Sequence, residues 1–315
     1  MKIVLTDAQT VVDEMVTAEC LREFGEVVTH GLLRYDEVAE AIADADLVIC
    51  NKTQLNSETL RSAKKLRYIG LFATGYNNID VEYCRAHGIT VCNAGSYSTN
   101  AVAQQTFALI LEHFNKVARY DEYVQDGRWK RSPTFSPFVY PLNELAGKTL
   151  GIVGLGTIGK EVAAIANAFH MNVIAYNRSQ KDVVGVRQTG FEELLRESDI
   201  VTVHCPLNRD SQDLFNKDTF MKMKQGALFV NTARGGVVVE KDLYDALECG
   251  HLGGACIDVL RVEPMEEDCI LMGAKNCIIT PHIAWAPLET RRRLMDIVAD
   301  NIRRYLNGSP TNVVS

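Results

Sequence analysis

Three short polar stretches hold side chains whose types fit proton transfer at a carbonyl oxygen. The stretches are Asn231–Gly235, Asp258–Pro264 and Thr280–Trp285, and they contain Arg234, Glu263 and His282. An arginine fork binds a carboxylate or a polarised carbonyl, a histidine exchanges a proton near neutral pH, and a glutamate can orient that histidine and favour its charged form. Taken singly, such residues are more often surface ion-pair partners, loop charges or hydrogen-bonded structural histidines. Together they predict an acid–base site, because all three stretches follow predicted strands, where open α/β sheets bind ligands.

A glycine-rich turn provides the second chemical signal. The turn Gly154–Gly159 follows the predicted strand Thr149–Val153 and opens the helical run Ile158–Phe169, which makes its spacing a dinucleotide-binding fingerprint rather than a plain turn. The first glycine permits the tight turn, the second lets the backbone approach a pyrophosphate, and the third allows close packing of helix on strand. The expected cofactor contacts in this turn are Gly154, Gly156, Thr157, Ile158 and Gly159.

The end of the next predicted strand bears on the choice between NAD and NADP. An acidic residue about 20 positions after the glycine turn would normally bind the ribose hydroxyls of NAD. The chain has Asn177, Arg178 and Ser179 there instead. Without that carboxylate a 2′-phosphate is not repelled, and Arg178 can pair with it, helped by Ser179 or Lys181. Arg178 could also stack on adenine or lie in solvent, so the sequence leans toward accepting NADP and leaves NAD open.

Two series of short apolar runs supply the scaffold for these residues. The first series has strands at Lys2–Thr6, Asp46–Cys50, Leu66–Gly70 and Ile89–Cys92, separated by helical stretches at Val12–Phe24, Val38–Ala43, Ser57–Ala63 and Val81–His87. The second series has strands at Lys148–Val153, Asn172–Tyr176, Ile200–His204, Ala227–Asn231, Gly253–Asp258 and Asn276–Thr280. This alternation predicts parallel sheets with helices on both faces. We therefore expect an α/β protein with two doubly wound, Rossmann-like domains and an active site in the cleft between them.

The segments that join and follow the two series indicate domain boundaries and assembly. Apolar residues at helical spacing predict one long helix over Thr99–Tyr123, and the amphipathic helix Leu288–Leu306 is expected to return to the first series. The predicted domains are 1–99 with 288–315, a flavodoxin-like unit for the substrate, and 100–287, a Rossmann unit for NAD(P). The apolar face of the long helix favours a homodimer, although the same face could be internal core. The aromatic side chains expected beside it are Trp129, Phe135, Phe138 and Tyr140.

Composition argues against several other classes of protein. The 315 residues carry a net charge of −7 without a basic patch, which argues against nucleic acid as a partner. No apolar run approaches the roughly 20 residues of a membrane span. Met1–Asp7 fits a first strand rather than a signal peptide, so we expect a cytoplasmic protein that does not bind a membrane. The nine cysteines form no Cys-x-x-Cys pair, which favours buried, reduced thiols, and the absence of a metal-ligand spacing predicts no metal site.

The chain resembles the D-isomer-specific 2-hydroxyacid dehydrogenase family over essentially its whole length. The likeness is carried by the glycine turn, by Asn231–Gly235, Glu263-Pro264 and Pro281-His282, and by Ala73–Asp80 in the first series. It implies that Arg234 binds the carboxylate and carbonyl oxygens of a 2-keto acid and that His282 donates a proton to the developing alkoxide. Glu263 is expected to keep His282 charged and oriented, while a nicotinamide cofactor supplies the hydride.

The resemblance also implies further binding residues. On the substrate side they are Asn51, Lys52, Thr74 and Gly75, with backbone amides around Thr74 and Gly75 binding the substrate carboxylate. On the cofactor side they are Thr106, Cys205, Pro206, Thr232, Ala233 and Asp258. His204 either lies beside the cofactor or is a structural residue.

Several local stretches resemble the glycerate dehydrogenase, or hydroxypyruvate reductase, branch of the family. They are Asn51–Thr53, Ala73–Asn77, Tyr97–Thr99 and Pro141–Lys148. The expected substrate pairs are hydroxypyruvate with D-glycerate and glyoxylate with glycolate, whereas Gln104 departs from the glutamate of many relatives. The alternatives are a D-lactate or phosphoglycerate type of dehydrogenase, a formate- or phosphite-type dehydrogenase, and a non-catalytic dinucleotide-sensing regulator. The retention of Arg234, Glu263 and His282 argues against the regulator.

Overall fold

The computed structural model describes all 315 residues, which form two compact units. The first unit comprises Met1–Ser98 and Ala286–Ser315, and the second comprises Thr99–Trp285. In chain order the strands are β1 Lys2–Leu5, β2 Glu26–Thr29, β3 Leu47–Cys50, β4 Tyr68–Leu71, β5 Thr90–Cys92, β6 Thr149–Val153, β7 Asn172–Tyr176, β8 Val186–Gln188, β9 Ile200–Val203, β10 Leu228–Asn231, β11 Gly254–Ile257 and β12 Cys277–Ile279. The helices are α1 Tyr35–Ala41, α2 Ser57–Leu60, α3 Val81–Ala86, α4 Thr99–Asn115, α5 Val117–Gln125, α6 Thr157–Ala168, α7 Phe191–Glu197, α8 Lys217–Lys222, α9 Glu240–Glu248 and α10 Leu288–Leu306.

The first unit is built on a five-stranded parallel sheet. Its strand order is β2-β1-β3-β4-β5, the flavodoxin-like doubly wound order. The central strands β3 and β4 are buried along their whole length, which explains their uninterrupted apolar sequences. Helix α10 packs against β4 in this unit, and its buried residues include Leu294 and Val298.

The second unit is built on a seven-stranded parallel sheet with the order β12-β11-β10-β9-β6-β7-β8. The chain winds from β6 to one edge through β7 and β8, and then returns through β9 to the other edge. The order therefore reverses between β6 and β9, the place where open α/β sheets bind ligands beyond the carboxyl ends of their strands. The predicted fold class, with two doubly wound parallel sheets, is confirmed.

The helix predicted over Val12–Phe24 is wrong. The segment forms turns and a 3-10 helix at Glu19–Phe24. The carboxylate of Asp13 accepts hydrogen bonds from the amides of Met15 and Val16, at 2.8 and 2.9 Å. These local bonds compete with the hydrogen bonds of a helix, as short acidic side chains commonly do.

Two strands, β2 and β8, were not predicted from the sequence. Each lies at an edge of its sheet and has one neighbour, β1 for β2 and β7 for β8. Edge strands bury less apolar surface, so their sequences lack the long β-branched runs of the central strands.

The single long helix predicted from Thr99 is likewise wrong, because it divides at Lys116. This residue has a left-handed backbone conformation, with φ of 51°. The ammonium group of Lys116 donates to the carbonyl oxygen of His113 at 2.9 Å, and Oε2 of Glu112 accepts from the amide of Ala118 at 3.3 Å. These contacts cap α4 and start α5, although the sequence has neither glycine nor proline at the break.

All nine cysteines are free thiols, of which Cys20 and Cys249 are exposed. Burial raises the pKa of Cys84 to about 11 and that of Cys277 to about 12, so both thiols stay protonated at neutral pH. No three side chains of His, Cys, Asp or Glu cluster closely enough to hold a metal ion. None of the helices combines the length and the apolar character needed to cross a lipid bilayer.

Candidate active site

A histidine–glutamate pair lies beyond the carboxyl ends of β11 and β12. Nδ1 of His282 is 2.7 Å from Oε2 of Glu263, and the two side chains are 24% and 31% exposed. An ionised carboxylate only accepts hydrogen bonds, so Nδ1–H of His282 donates and Nε2 is left to face a ligand. Oε1 of Glu263 accepts from the amide of Leu260 at 3.0 Å. Both carboxylate oxygens therefore have partners, which holds the imidazole in one orientation.

Asp258 organises the turn that carries His282. Its buried carboxylate accepts hydrogen bonds from the hydroxyl of Thr280 at 2.5 Å and from the amides of Ile283 and Ala284 at 3.0 and 2.9 Å. Its carbonyl oxygen accepts from the amide of His282 at 2.8 Å. The carboxylate predicted to bind the cofactor is thus engaged on both oxygens by the chain itself.

Arg234 lies at the carboxyl end of β10, and its neighbour Gly235 brings this end close to the Glu263 loop. A Cβ on Gly235 would lie 1.9 Å from the carbonyl carbon of Leu260, so only glycine fits there. Asn231 fixes the turn, since its amide nitrogen donates to the carbonyl of Arg234 and its oxygen accepts from Ala233, each at 3.0 Å. The close approach links the arginine turn to the loop that orients His282.

The three glycines of the turn after β6 occupy different environments. Gly154 has φ of 101°, and a Cβ there would lie 2.7 Å from the amide nitrogen of Cys205. A Cβ on Gly159 would lie 2.2 Å from the carbonyl oxygen of Gly154, whereas a Cβ on Gly156 would meet no atom within 4 Å. Neighbouring backbone atoms therefore leave no room for a side chain at the first and third glycines. The second faces open space at the N-terminus of α6, and this cradle fits the pyrophosphate of a dinucleotide.

Asn177 and Arg178 follow β7 and flank the glycine turn. The side-chain oxygen of Asn177 accepts from the amide of Leu155 at 3.1 Å, and its nitrogen donates to the carbonyl of Ser179 at 2.9 Å. Nη1 of Arg178 donates to Oδ2 of Asp210 at 2.8 Å. The arginine therefore has a carboxylate partner from another loop, and this pairing was not predicted from the sequence.

Two further cofactor candidates of the second unit, Thr106 and Thr232, contact each other. The hydroxyls of Thr106 and Thr232 lie 3.0 Å apart, and Thr106 is fully buried. His204 follows β9, and burial lowers its pKa to about 3, so the ring is neutral at physiological pH. Its Nε2 lies 2.9 Å from the hydroxyl of Thr202, while its buried Nδ1 has no hydrogen-bond partner.

In the first unit, a buried carboxylate holds the loop that contains Asn51 and Lys52. Oδ2 of Asp7 accepts from the amides of Asn51, Lys52 and Thr53 at 3.0, 2.6 and 2.8 Å, and Asp7 is fully buried. The side-chain nitrogen of Asn78 also donates to the carbonyl of Thr53 at 2.8 Å. These amides are occupied by Asp7, so they are not available to a substrate anion.

The turn containing Thr74 and Gly75 lies beyond β4, the neighbour of β3. The carbonyl oxygen of Thr74 accepts from the side chain of Asn93 at 2.8 Å, and its hydroxyl donates to the carbonyl of Gly95. The amides of Thr74 and Gly75 have no hydrogen-bond acceptor within the chain. They remain available to an anion, in contrast to the amides held by Asp7.

Sequence reasoning did not single out Asp7, Asn78 or Asp210. For Asp7 a signal existed, because an acidic residue directly after a buried strand lies at the ligand-binding edge of its sheet. Asp210 lies in a polar surface loop without any such pattern. Gln104 is exposed, and nothing in the structure explains its departure from glutamate.

The chain is similar in sequence and in fold to known proteins. Residues 107–284, more than half of the chain, match the family described as D-isomer specific 2-hydroxyacid dehydrogenase, NAD binding domain. A hydroxypyruvate reductase of Blautia hydrogenotrophica is 40% identical over the full length of both chains. A glycerate dehydrogenase of Methylorubrum extorquens is 36% identical, covering 89% of this chain and 88% of that protein.

A solved structure extends the likeness to the whole fold. An NADPH-dependent glyoxylate/hydroxypyruvate reductase of Sinorhizobium meliloti, in complex with NADP and malonate, superposes with a TM-score of 0.88. It is 26% identical and covers all of this chain and 96% of that one. The sequence match and the shared parallel sheets lead to one conclusion: this chain belongs to the D-isomer specific 2-hydroxyacid dehydrogenase family of NAD(P)-dependent oxidoreductases.

Proposed function

We propose that this protein reduces hydroxypyruvate to D-glycerate and glyoxylate to glycolate, using NADH or NADPH. The observation that carries this proposal is the 2.7 Å contact between His282 and Glu263 in the unit that also holds the glycine turn. The hydroxypyruvate reductase and glycerate dehydrogenase relatives support the choice of substrate. The reductase of known structure acts on both keto acids.

The roles of the catalytic side chains follow from their chemistry. Arg234 binds the carboxylate and the keto oxygen of the substrate, because its planar fork matches both. Protonated His282 donates from Nε2 to the oxygen that becomes the alcohol, and Glu263 stabilises the imidazolium through Nδ1. In oxidation the neutral imidazole accepts the hydroxyl proton. When bound, the nicotinamide supplies or accepts the hydride.

The first unit contributes substrate binding in this proposal. The loops with Asn51 and Lys52 and with Thr74 and Gly75 both lie at the carboxyl edge of the five-stranded sheet. The unpaired amides of Thr74 and Gly75 suit a carboxylate, since two adjacent N–H donors match its oxygens. Lys52 adds positive charge for an anionic substrate.

The cofactor is held by the glycine turn, by residues that follow β7, β9 and β10, and by Thr106 of α4. Gly154, Gly156, Thr157, Ile158 and Gly159 form the turn, and the further contacts are Asn177, Arg178, Ser179, Cys205, Pro206, Thr232, Ala233 and Thr106. Asp258 was predicted among these contacts, but its carboxylate is engaged by Thr280, Ile283 and Ala284, and we assign it to positioning His282. No acidic side chain stands at position 177, so we propose that the enzyme accepts NADPH as well as NADH, with Arg178 as the partner of the 2′-phosphate.

A panel of initial rates tests the function. Purified protein is assayed with hydroxypyruvate, glyoxylate, pyruvate and phosphohydroxypyruvate against NADH and NADPH, and with formate and phosphite against the oxidised cofactors. We expect the highest kcat/KM for hydroxypyruvate or glyoxylate. A preference for pyruvate or phosphohydroxypyruvate would indicate the lactate or phosphoglycerate type. Turnover of formate or phosphite, or none at all, would contradict the proposed reaction.

We also propose that the protein is a homodimer formed through the second unit. Two side chains of the irregular segment after α5, Phe135 and Phe138, are 91% and 92% exposed, and Trp129 is 51% exposed. The segment is tied to α5, since the Tyr120 hydroxyl donates to the carbonyl of Tyr140 at 3.0 Å. Exposed aromatic side chains grouped in this way mark protein interfaces, and two-fold dimers are the commonest closed assemblies.

Light scattering on the purified protein tests the dimer. We expect a mass twice that of one chain at micromolar concentration, and a monomer when Phe135 and Phe138 are both changed to serine. The matched control is Val184→Ser, which changes another exposed apolar side chain of the same unit and should leave the dimer intact. A monomeric wild-type protein at this concentration would contradict the proposal.

A further inference from the structure

An ion pair crosses the carboxyl edge of the seven-stranded sheet above the glycine turn. Arg178 follows β7 and Asp210 follows β9, and these strands lie on either side of β6, which leads into the turn. Nη1 of Arg178 donates to Oδ2 of Asp210 at 2.8 Å, with side chains 72% and 69% exposed. The pair therefore spans the region that receives the adenosine half of a dinucleotide in a doubly wound sheet.

The backbone on the arginine side of this pair is held in place. Gln188 of β8 reaches back to the segment after β7: its side-chain nitrogen donates to the carbonyl of Ser179 at 3.0 Å, and its oxygen accepts from the amide of Lys181 at 2.8 Å. Asn177 ties the start of the same segment to the glycine turn through Leu155. The origin of the Arg178 side chain is thus fixed relative to the cofactor loop.

The turn that carries Asp210 is held in a similar way. The side-chain oxygen of Asn208 accepts from the amide of Asp210 at 2.9 Å, and the Ser211 hydroxyl donates to the carbonyl of Pro206 at 2.6 Å. A carboxylate on this turn stays close to Arg178 even when the ion pair opens. The negative charge of Asp210 therefore stays near Arg178 whether or not the two side chains are hydrogen-bonded.

We propose that Asp210 sets the cofactor preference of this enzyme. Its carboxylate engages Nη1 of Arg178, a donor that a 2′-phosphate would use. It also offers the ribose hydroxyls of NADH a hydrogen-bond acceptor, which Asn177 cannot do. The side chain of Asn177 is already used by Leu155 and Ser179. This inference rests on the proposed use of both cofactors, and it assigns their discrimination to a residue 32 positions after the arginine.

The physical basis is competition between two anions for one cation. An exposed ion pair is weak, so a phosphate can displace Asp210 from Arg178. The displaced carboxylate remains near the dianionic phosphate and repels it, and this penalty does not arise for the neutral ribose of NADH. Asp210 therefore lowers the affinity for NADPH selectively.

Direct binding measurements test the inference without any need for turnover. Dissociation constants for NADH and NADPH are measured by nicotinamide fluorescence titration for the wild type, Asp210→Asn, Arg178→Ala and the double variant. We expect Asp210→Asn to tighten NADPH about tenfold relative to NADH at low ionic strength, and added salt to reduce this gain. Arg178→Ala should weaken NADPH more than NADH. In the double variant the gain from Asp210→Asn should be smaller than in the wild-type background, because only the direct repulsion of the phosphate is then relieved.

The matched control is Asp245→Asn. Asp245 is an exposed carboxylate of the same unit, paired with Lys241 one helical turn away in α9. This variant changes the net charge by the same amount and should leave the ratio of the two dissociation constants unchanged. Equal shifts in both charge variants would overturn the inference, because a general effect of net charge would then explain them.

Two other outcomes would also overturn the role of Asp210. One is an unchanged NADPH-to-NADH ratio in Asp210→Asn, and the other is a gain from Asp210→Asn that is equally large with and without Arg178, because Asp210 would then not compete for the arginine. In both cases the wild type still binds nucleotide, so the proposed function survives. A wild-type protein that binds neither nucleotide would contradict the proposed function and this inference together.

Discussion

His282 has a left-handed backbone conformation, with φ of 54°, and in that conformation its Nδ1 lies 2.7 Å from Oε2 of Glu263. A left-handed conformation is uncommon for residues other than glycine, although histidine is among those that tolerate it. The hydrogen bond from the His282 amide to the carbonyl of Asp258 holds this conformation. The backbone thus directs the ring toward Glu263, and the glutamate selects the tautomer that leaves Nε2 to the substrate.

The roles of His282 and Arg234 should separate in steady-state kinetics. His282→Ala should lower kcat about 10²–10⁴-fold, the usual effect of removing a positioned proton donor, with little change in NADH affinity. Arg234→Ala should lower kcat and also raise KM, because the arginine binds the keto acid before and during hydride transfer. Initial rates over a range of hydroxypyruvate concentrations and NADH titrations test this separation. A His282→Ala enzyme with wild-type kcat would exclude the histidine as the proton donor.

The Glu263→Gln variant tests the electrostatic role of the glutamate. Glutamine keeps the size of the side chain but removes the negative charge that stabilises the imidazolium. Reduction requires the protonated ring, so the alkaline fall in its rate should move to lower pH. Rate profiles between pH 5 and 9 measure the shift, and Glu240→Gln serves as the control, since Glu240 accepts from the amide of Arg261 rather than from the histidine. An unchanged profile would remove Glu263 from the mechanism while leaving His282 as the donor.

Asp258 should act by positioning His282. In Asp258→Asn one carboxylate oxygen becomes a donor group that faces the donors of Thr280, Ile283 or Ala284. We expect kcat to fall about 10- to 100-fold as the histidine turn loosens, and the unfolding free energy to drop by about 1–3 kcal/mol. Thr280→Val, which removes one donor, should have a smaller effect. A variant that loses NADH affinity but keeps kcat would show that Asp258 binds the cofactor instead.

Asp7→Asn should raise KM for the keto acid about tenfold without changing NADH affinity, because Asp7 orders the loop that carries Lys52. Asp46→Asn is the matched control, since Asp46 accepts from the amide of Lys2 at 2.7 Å at the opposite end of β3. The comparison requires kcat, KM and thermal unfolding for both variants. Equal losses of stability with no change in KM for Asp7→Asn would restrict Asp7 to a structural role.

Two partly buried histidines should make the second unit sensitive to acid. Burial lowers the pKa of His113 to about 4 and that of His204 to about 3, below the roughly 6.5 of an unfolded chain. The stabilisation of the neutral rings is therefore complete above pH 6.5 and is lost as pH falls toward 4, by roughly 1.4 kcal/mol per pH unit for each histidine. Urea unfolding between pH 7.5 and 4.5 measures this slope. His113→Gln should reduce the slope, and an unchanged slope would contradict the contribution of His113.

Features that depend on local sequence pattern could be predicted from the sequence alone. Continuous apolar runs predicted β3, β4 and the central strands of the second sheet, because a strand buried on both faces needs apolar residues at every position. The glycine spacing after β6 identified the candidate cofactor turn, since each glycine answers a steric requirement within a few residues. Arg234, Glu263 and His282 were found as candidates because each lies in a short polar stretch that follows a strand.

Only the tertiary structure decided which residues support those candidates. Three features depend on contacts or capping hydrogen bonds that the secondary-structure propensities of the residues do not predict. They are the edge strand β2, the break at Lys116 and the turns after Val12. Asp7, Asp258 and Asp210 show the same limit most clearly. Each carboxylate bonds to groups that lie between 22 and 46 positions away along the chain. Parallel strands bring their carboxyl ends together whatever their separation in sequence, so these partnerships exist only after the sheets have formed.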